Sequence, residues 1–141
     1  MSNNDNYFVQ VTMTPEQART VVQALDVLSR IHMGQFDRIS EPFWDKVKDR
    51  NKLLEGLLMA RKQCFPELAG NMAHSHGIAG GIKQEGKVAY DLLQVIRQCE
   101  AFARRPEGGL TVDFDAPLWV SDSTPRPTAK PTNVLDRLAD I

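Results

Sequence analysis

The sequence predicts a mainly helical α+β fold, with three main helices, a short antiparallel sheet of two strands, and a core completed by oligomerisation. Three observations carry that expectation. Long stretches repeat apolar residues at three- and four-residue steps, two short stretches alternate apolar with polar residues, and apolar side chains fall on more than one helix face.

Residues 7–13 (YFVQVTM) set Val9, Val11 and Met13 against Gln10 and Thr12, the pattern of a strand with one covered face. Thr14-Pro15-Glu16-Gln17 then combines an N-cap hydroxyl, a proline at the first helical position and a glutamine three residues after the cap. A helix starts there. Its apolar positions run through Ala18, Val21, Val22, Leu25, Leu28, Ile31, Phe36 and Ile39, with Gly34 loosening the last turns. A second hydroxyl-then-proline signal, Ser40-Glu41-Pro42, predicts a second helix reaching about Gln63. Trp44, Val47, Leu54, Leu57, Leu58 and Arg61 share much of one of its faces. Its other face is rich in Lys46, Lys48, Arg50, Lys52 and Lys62, which suits a solvated surface laced with ion pairs.

Phe65-Pro66 ends that helix, and residues 67–83 (ELAGNMAHSHGIAGGIK) hold four glycines without a sustained period. So long a connection in a compact domain is a working loop or a disordered one. A third helix is expected over residues 85–105, with Val88, Leu92, Val95, Ile96, Cys99 and Phe102 inward and Arg104 and Arg105 in its last turn. Pro106 and Gly108-Gly109 stop it. Residues 110–114 (LTVDF) alternate again and supply the second strand, paired with the first. Residues 121–131 (SDSTPRPTAKP) have the composition of a linker. Thr132 then caps a short amphipathic end bearing Val134, Leu135, Leu138 and Ile141, suited to docking on a neighbouring subunit. The expected organisation is one α+β ligand-binding and oligomerisation unit over residues 1–120. A Pro-rich linker and C-terminal amphipathic segment follow over residues 121–141.

With 141 residues, 42% hydrophobic and 25% charged, the chain suits one globular domain with a single core. Seventeen basic residues against 18 acidic ones leave a net charge of −1, which excludes a protein held to duplex nucleic acid or anionic membrane by its overall field. The two cysteines, Cys64 and Cys99, are far apart in helical stretches and do not form a disulfide framework. No apolar run reaches membrane-spanning length and the polar N-terminal residues contain no leader pattern, so the expected location is the cytoplasm.

The pair His74-Ser75-His76 invites a metal, but no further ligands stand at zinc-site spacing, so no metal or other cofactor is expected. Cys64, Cys99 and Ser75 lie outside any recognisable catalytic turn, which argues against an enzyme. What the residues do suit is a small anionic ligand. Glycine amides of the loop approach phosphate closely, Asn71 and His74 donate, and Arg97, Arg104 and Arg105 offer charge-assisted bonds. Phe65 and Tyr90 are flat enough to stack on a nucleobase. The same residues also fit ordinary roles, with the aromatics in the core and the arginines on the surface.

The stretch Leu28-Ser29-Arg30-Ile31-His32-Met33-Gly34-Gln35-Phe36, followed by Ala89-Tyr90-Asp91-Leu92-Leu93-Gln94-Val95-Ile96-Arg97, resembles small phage-encoded proteins. It resembles in particular the first-described family of phage Thoeris anti-defence proteins, over roughly residues 15–117. The resemblance implies a non-catalytic sponge that binds cyclic ADP-ribose isomers made by TIR-domain enzymes, and in some members cyclic oligonucleotides, in the cytoplasm of the infected host. It also implies a homo-oligomer with nucleotide-binding pockets between protomers. The family pocket uses an aromatic residue, an asparagine and arginines, for which Phe65, Asn71 and Arg97 are the matches in type and order. Two other readings compete: a phage accessory protein that inhibits a host protein through the basic face of the second helix or the C-terminal end, and a small hydrolase that destroys the signal.

Overall fold

The computed structural model describes residues 7–68 and 70–133. Helix α1 spans Pro15–His32, a 3-10 segment follows at Phe36–Phe43, α2 spans Arg50–Cys64, α3 spans Gln84–Arg104, and a short 3-10 turn covers Val112–Phe114. The expected capping box opens α1: Thr14 Oγ1 accepts from the Gln17 amide at 3.2 Å, and the Thr14 amide donates to Gln17 Oε1 at 3.0 Å.

Gly34 ends α1 rather than loosening it. At φ +86° it is left-handed, its amide donates to Ile31 O, and the Gln35 amide reaches back to Arg30 O at 2.9 Å. That pair of bonds is a Schellman cap, so Phe36 and Ile39 belong to the next element. A side chain at Gly34 would also run into Leu68.

The second helix begins later than Ser40-Glu41-Pro42 predicts. Ser40 is buried inside the 3-10 segment, where its hydroxyl donates to Asp37 O at 2.6 Å. Pro42 lacks the N–H that an α-helical turn would need, and Phe36, buried at the start of this segment, suits the tighter three-residue repeat. Asp49 is the true cap of α2, with Oδ1 accepting from the Lys52 amide at 3.0 Å. Trp44 and Val47 therefore precede α2.

The expected antiparallel sheet is absent: the described residues contain no strand, and the fold is helical. Residues 7–13 lie outside any helix or ladder, with Tyr7, Phe8, Val9 and Val11 all exposed. Residues 110–114 turn back on themselves instead of extending, with the Phe114 amide donating to Thr111 O and the Asp115 amide to Val112 O. The reason is Phe114. Its ring stacks edge-on against Phe102 at 5.1 Å and lies over Gly109, where a Cβ would come within 2.6 Å of it. Burying that ring requires a chain reversal, which a strand cannot make.

Helices α1 and α3 are antiparallel neighbours. Arg19 meets Glu100 at 3.0 Å at one end, and His32 lies 3.8 Å from Glu85 at the other. Ala89, Leu93 and Ala101 of α3 are buried, as are Met33, Phe36 and Ile82, whereas Val95 is buried on the side that faces the arm formed by residues 115–126. The helices touch most closely at Gly86, where a Cβ would stand 2.5 Å from His32 Cβ. Gly86→Ala is therefore expected to lower the urea midpoint, because overpacking costs roughly 1–3 kcal/mol and outweighs the gain of about 1 kcal/mol in helix propensity. A raised midpoint would contradict the close crossing.

Residues 115–126 lie along α3, so the first part of the expected linker at 121–131 is bonded to that helix. Gln98 Nε2 donates to Asp115 O, Gln94 exchanges bonds with both backbone groups of Leu118, and Asp91 accepts from the amides of Val120 and Ser121. Gln84 holds Asp122 in the same way. The amphipathic end with Val134, Leu135, Leu138 and Ile141 falls outside the described residues.

Candidate functional site

The last turns of α2 carry Arg61 beneath the glycine-rich loop. Its side chain is fully buried, with Nη2 donating to Asn71 O at 2.7 Å and Nη1 to His74 O at 2.7 Å and Met72 O at 3.4 Å. A guanidinium is the one side chain whose flat fork can serve several carbonyls at once. The inward carbonyls leave Asn71 and His74 exposed on the outer face. Asn71 Oδ1 also accepts from the Ala73 amide at 2.9 Å, closing an Asx turn.

The loop is tied from the other side by the end of α1. The His76 amide donates to Met33 O at 2.8 Å, and Gln35 Nε2 donates to Ser75 Oγ at 3.3 Å. Gln35 Oε1 in turn accepts from Arg30, which is paired with Asp26. Phe65 is half-buried between Phe36, edge-on at 5.9 Å, and the His76 ring at 5.7 Å. The connection is thus tied by hydrogen bonds to the ends of both α1 and α2.

His76 Nε2 lies 2.8 Å from Glu67 Oε1. A bond to its own backbone, followed by that hydrogen bond to His76, holds the Glu67 carboxyl below its usual 4.5. A lowered folded value means that the contact contributes above pH 4.5 and is lost as the pH falls through the folded value. The protection factor of the His76 amide, its exchange relative to the intrinsic rate at each pH, should accordingly fall on acidification below pH 4.5, and Glu67→Gln should remove that dependence. An acid response retained by Glu67→Gln would assign it to another group.

The remaining candidates sit on α3. Tyr90 is half-buried, just inside the helix start, and its carbonyl is 3.4 Å from Gln94 Nε2. Arg97 Nε pairs with Asp113 Oδ1 at 3.3 Å, Arg105 with Glu107 at 3.1 Å, and Arg104 is exposed. Gly86 and Arg104 are 18 residues apart on one helix, or about 27 Å at 1.5 Å per residue. The structure therefore gathers Phe65, Asn71 and His74 at the end where α1 finishes, and places Arg97, Arg104 and Arg105 toward the opposite end of the molecule. One chain does not bring all of them into one pocket.

Two residues of consequence escape a sequence search. Arg61 had a signal, an arginine in the apolar stripe of α2 just before a loop rich in carbonyls. Asp91 had none. It is buried in α3 and accepts from Val120, Ser121 and Arg126, partners that are distant in sequence.

A cavity of about 370 Å³ lies between α3 and the arm that packs on it, lined by Val95, Cys99, Phe102 and Trp119 among others. No charged side chain lines it, so it does not suit an anion. None of the described helices is long and apolar enough to cross a membrane. No protein-family model matches the chain, and neither a curated protein nor a solved structure matches it.

Proposed function

We propose that the protein is a phage anti-defence sponge of the Thoeris kind, which binds and sequesters a cyclic ADP-ribose isomer without cleaving it. Cyclic oligonucleotides are a second ligand class. It acts in the cytoplasm of the infected host as a homo-oligomer, with each pocket shared between protomers. The observation that carries this reading is the Arg61 clamp: the loop bearing Asn71 and His74 is held in shape from beneath before any ligand arrives. Such preorganisation cuts the ordering cost of binding, which a sponge needs in order to hold a scarce signal tightly.

A cyclic dinucleotide-like ligand presents two phosphates and a flat base, and so calls for several charge-assisted donors beside an aromatic face. The separation of the loop from Arg97, Arg104 and Arg105 favours a shared pocket. A second copy set antiparallel brings its arginine end to the loop end of the first. Exposed apolar residues give such an assembly material to bury, among them Phe8 at 86%, Leu110 at 107% and Val9 at 77% exposure.

Incubating the purified protein with a cyclic ADP-ribose isomer, filtering, and then heat-denaturing the retained protein tests the proposal. The ligand should vanish from the filtrate and return intact on denaturation. A cleaved product would mean an enzyme. No depletion would favour the host-protein reading, for which α2 offers exposed Lys52, Met59 and Lys62. Arg97→Ala should weaken retention while leaving the oligomer assembled; unchanged retention would remove Arg97 from the site.

A further inference from the structure

We propose that the cavity between α3 and its arm binds a small uncharged ligand built on a flat aromatic ring that carries an N–H or O–H donor. None of Phe65, Asn71, His74, Arg97, Arg104 and Arg105 lines it, so this site stands apart from the anion pocket and does not rest on the sponge reading. Val95, Cys99 and Phe102 line it from α3, and Trp119 lines it from the arm.

The aromatic wall is held in place through Arg126. Its guanidinium lies 5.2 Å over the Trp119 ring, while Nη1 donates to Ser121 O at 2.7 Å and reaches Asp91 Oδ2 at 3.4 Å. Buried Asp91 also accepts from the Ser121 amide, so α3 itself fixes the position of Trp119. Phe102 packs edge-on against Phe114, yet Phe102 and Trp119 each keep 38% of their surface open. Rings held in this way before a ligand arrives lower the ordering cost of binding.

The lining selects the chemistry of the occupant. No charged side chain lines the cavity among the described residues, and burial pushes the Cys99 thiol up, so it stays protonated at neutral pH. An ion placed there would shed its water without gaining a partner. A flat uncharged ring instead packs against Phe102 and Trp119, offset or edge-on. Gln98 supplies the polar point. Its Nε2 donates to Asp115 O at 3.0 Å, which orients the amide and leaves Oε1 as an acceptor without a donor among the described residues. The volume of about 370 Å³ lies near the lower end of the range for ligand sites, roughly 300–1,000 Å³, and suits one or two rings rather than a dinucleotide.

Cys99 and Trp119 report directly on the cavity. In a Cys64→Ser, Trp44→Phe background, Cys99 is the single thiol and Trp119 the single tryptophan. The probe is 4-nitroaniline, which is flat, uncharged and an N–H donor, and which quenches tryptophan emission. It should quench Trp119 saturably. At ten times its dissociation constant it should also slow alkylation of Cys99 by iodoacetamide about tenfold, because only about one site in eleven then stays open. N,N-dimethyl-4-nitroaniline, which keeps the ring but has no donor, should bind roughly two- to tenfold more weakly. 4-Nitrobenzoate, of similar size but charged, should neither quench saturably nor protect. Ala129→Phe, at an exposed position of the lining, should fill the cavity and abolish both effects while leaving the unfolding midpoint unchanged. Quenching that rises linearly without saturation would overturn the proposal, as would equal Cys99 rates with and without the probe. Binding of 4-nitrobenzoate as tight as that of 4-nitroaniline would overturn it too.

Discussion

Arg61→Ala is expected to destabilise the protein by about 3 kcal/mol or more and to release the loop at residues 70–76. Each charge-assisted bond to a carbonyl contributes about 1.5–3 kcal/mol, and a buried acceptor left without its donor carries its own desolvation cost. Arg61 serves Asn71 O, Met72 O and His74 O from a fully buried position, so alanine removes at least these three bonds and leaves a cavity. For a chain of 141 residues that corresponds to a fall of roughly 10 °C in Tm. Arg61→Lys should recover only part of the loss, because a point charge cannot span carbonyls served by both arms of the fork. Limited proteolysis should cut Arg61→Ala within residues 70–76 first. If that loop stays as resistant as before, the clamp is not what orders it.

Asp91→Ala is expected to cost about 3 kcal/mol and to free the arm at residues 115–126 while sparing the α1–α3 packing. The carboxylate accepts from the Val120 amide at 2.9 Å, the Ser121 amide at 3.2 Å, the Ser121 hydroxyl and Arg126. With 2% of its surface exposed, it has no water to replace it, and two backbone donors lose their acceptor. Asp91→Asn retains one oxygen and should fall between wild type and alanine. Hydrogen exchange separates the two parts of the molecule: the amides of Val120 and Ser121 should lose protection in Asp91→Ala, whereas those of Leu93 and Ala101 should keep it. Uniform loss across α3 would show that Asp91 supports the whole fold rather than the arm.

Both residues illustrate what a sequence conceals. Arg61 sits in the apolar stripe of α2, visible as an anomaly, but its partners are backbone carbonyls, which have no letter of their own. Asp91 is one more acid on a helix until the arm, 29 to 30 residues later, returns to it. Of the candidate ligand contacts, the loop residues Phe65, Asn71 and His74 were legible as a cluster because they are close in sequence. Their separation from Arg104, which lies about 27 Å along α3 from Gly86, was not, because it depends on which way α3 runs relative to α1.

Local chemistry decided some elements outright. Thr14 and Gln17 cap α1 through bonds within four residues, and the stretch from Gln84 to Arg104 carries an apolar period long enough to have no other solution. The alternation in residues 7–13 and 110–114 had no such margin. A run of five to seven residues satisfies a strand pattern, but a strand exists only if a partner edge accepts its backbone bonds, and among the described residues no such edge forms. Phe114 instead found Phe102, and the chain turned to let it.

By itself, then, the sequence determined where α1 and α3 begin, that the chain carries no strong overall field, and that the segment after α2 is a loop. Tertiary structure alone decided that this loop is ordered, that the proline-rich arm lies along α3, and that the arginines stand far from Asn71. The physical reason is range. Caps and periods act over a few residues, whereas the guanidinium of Arg61, the carboxylate of Asp91 and the ring of Phe114 take partners that only the packed chain supplies.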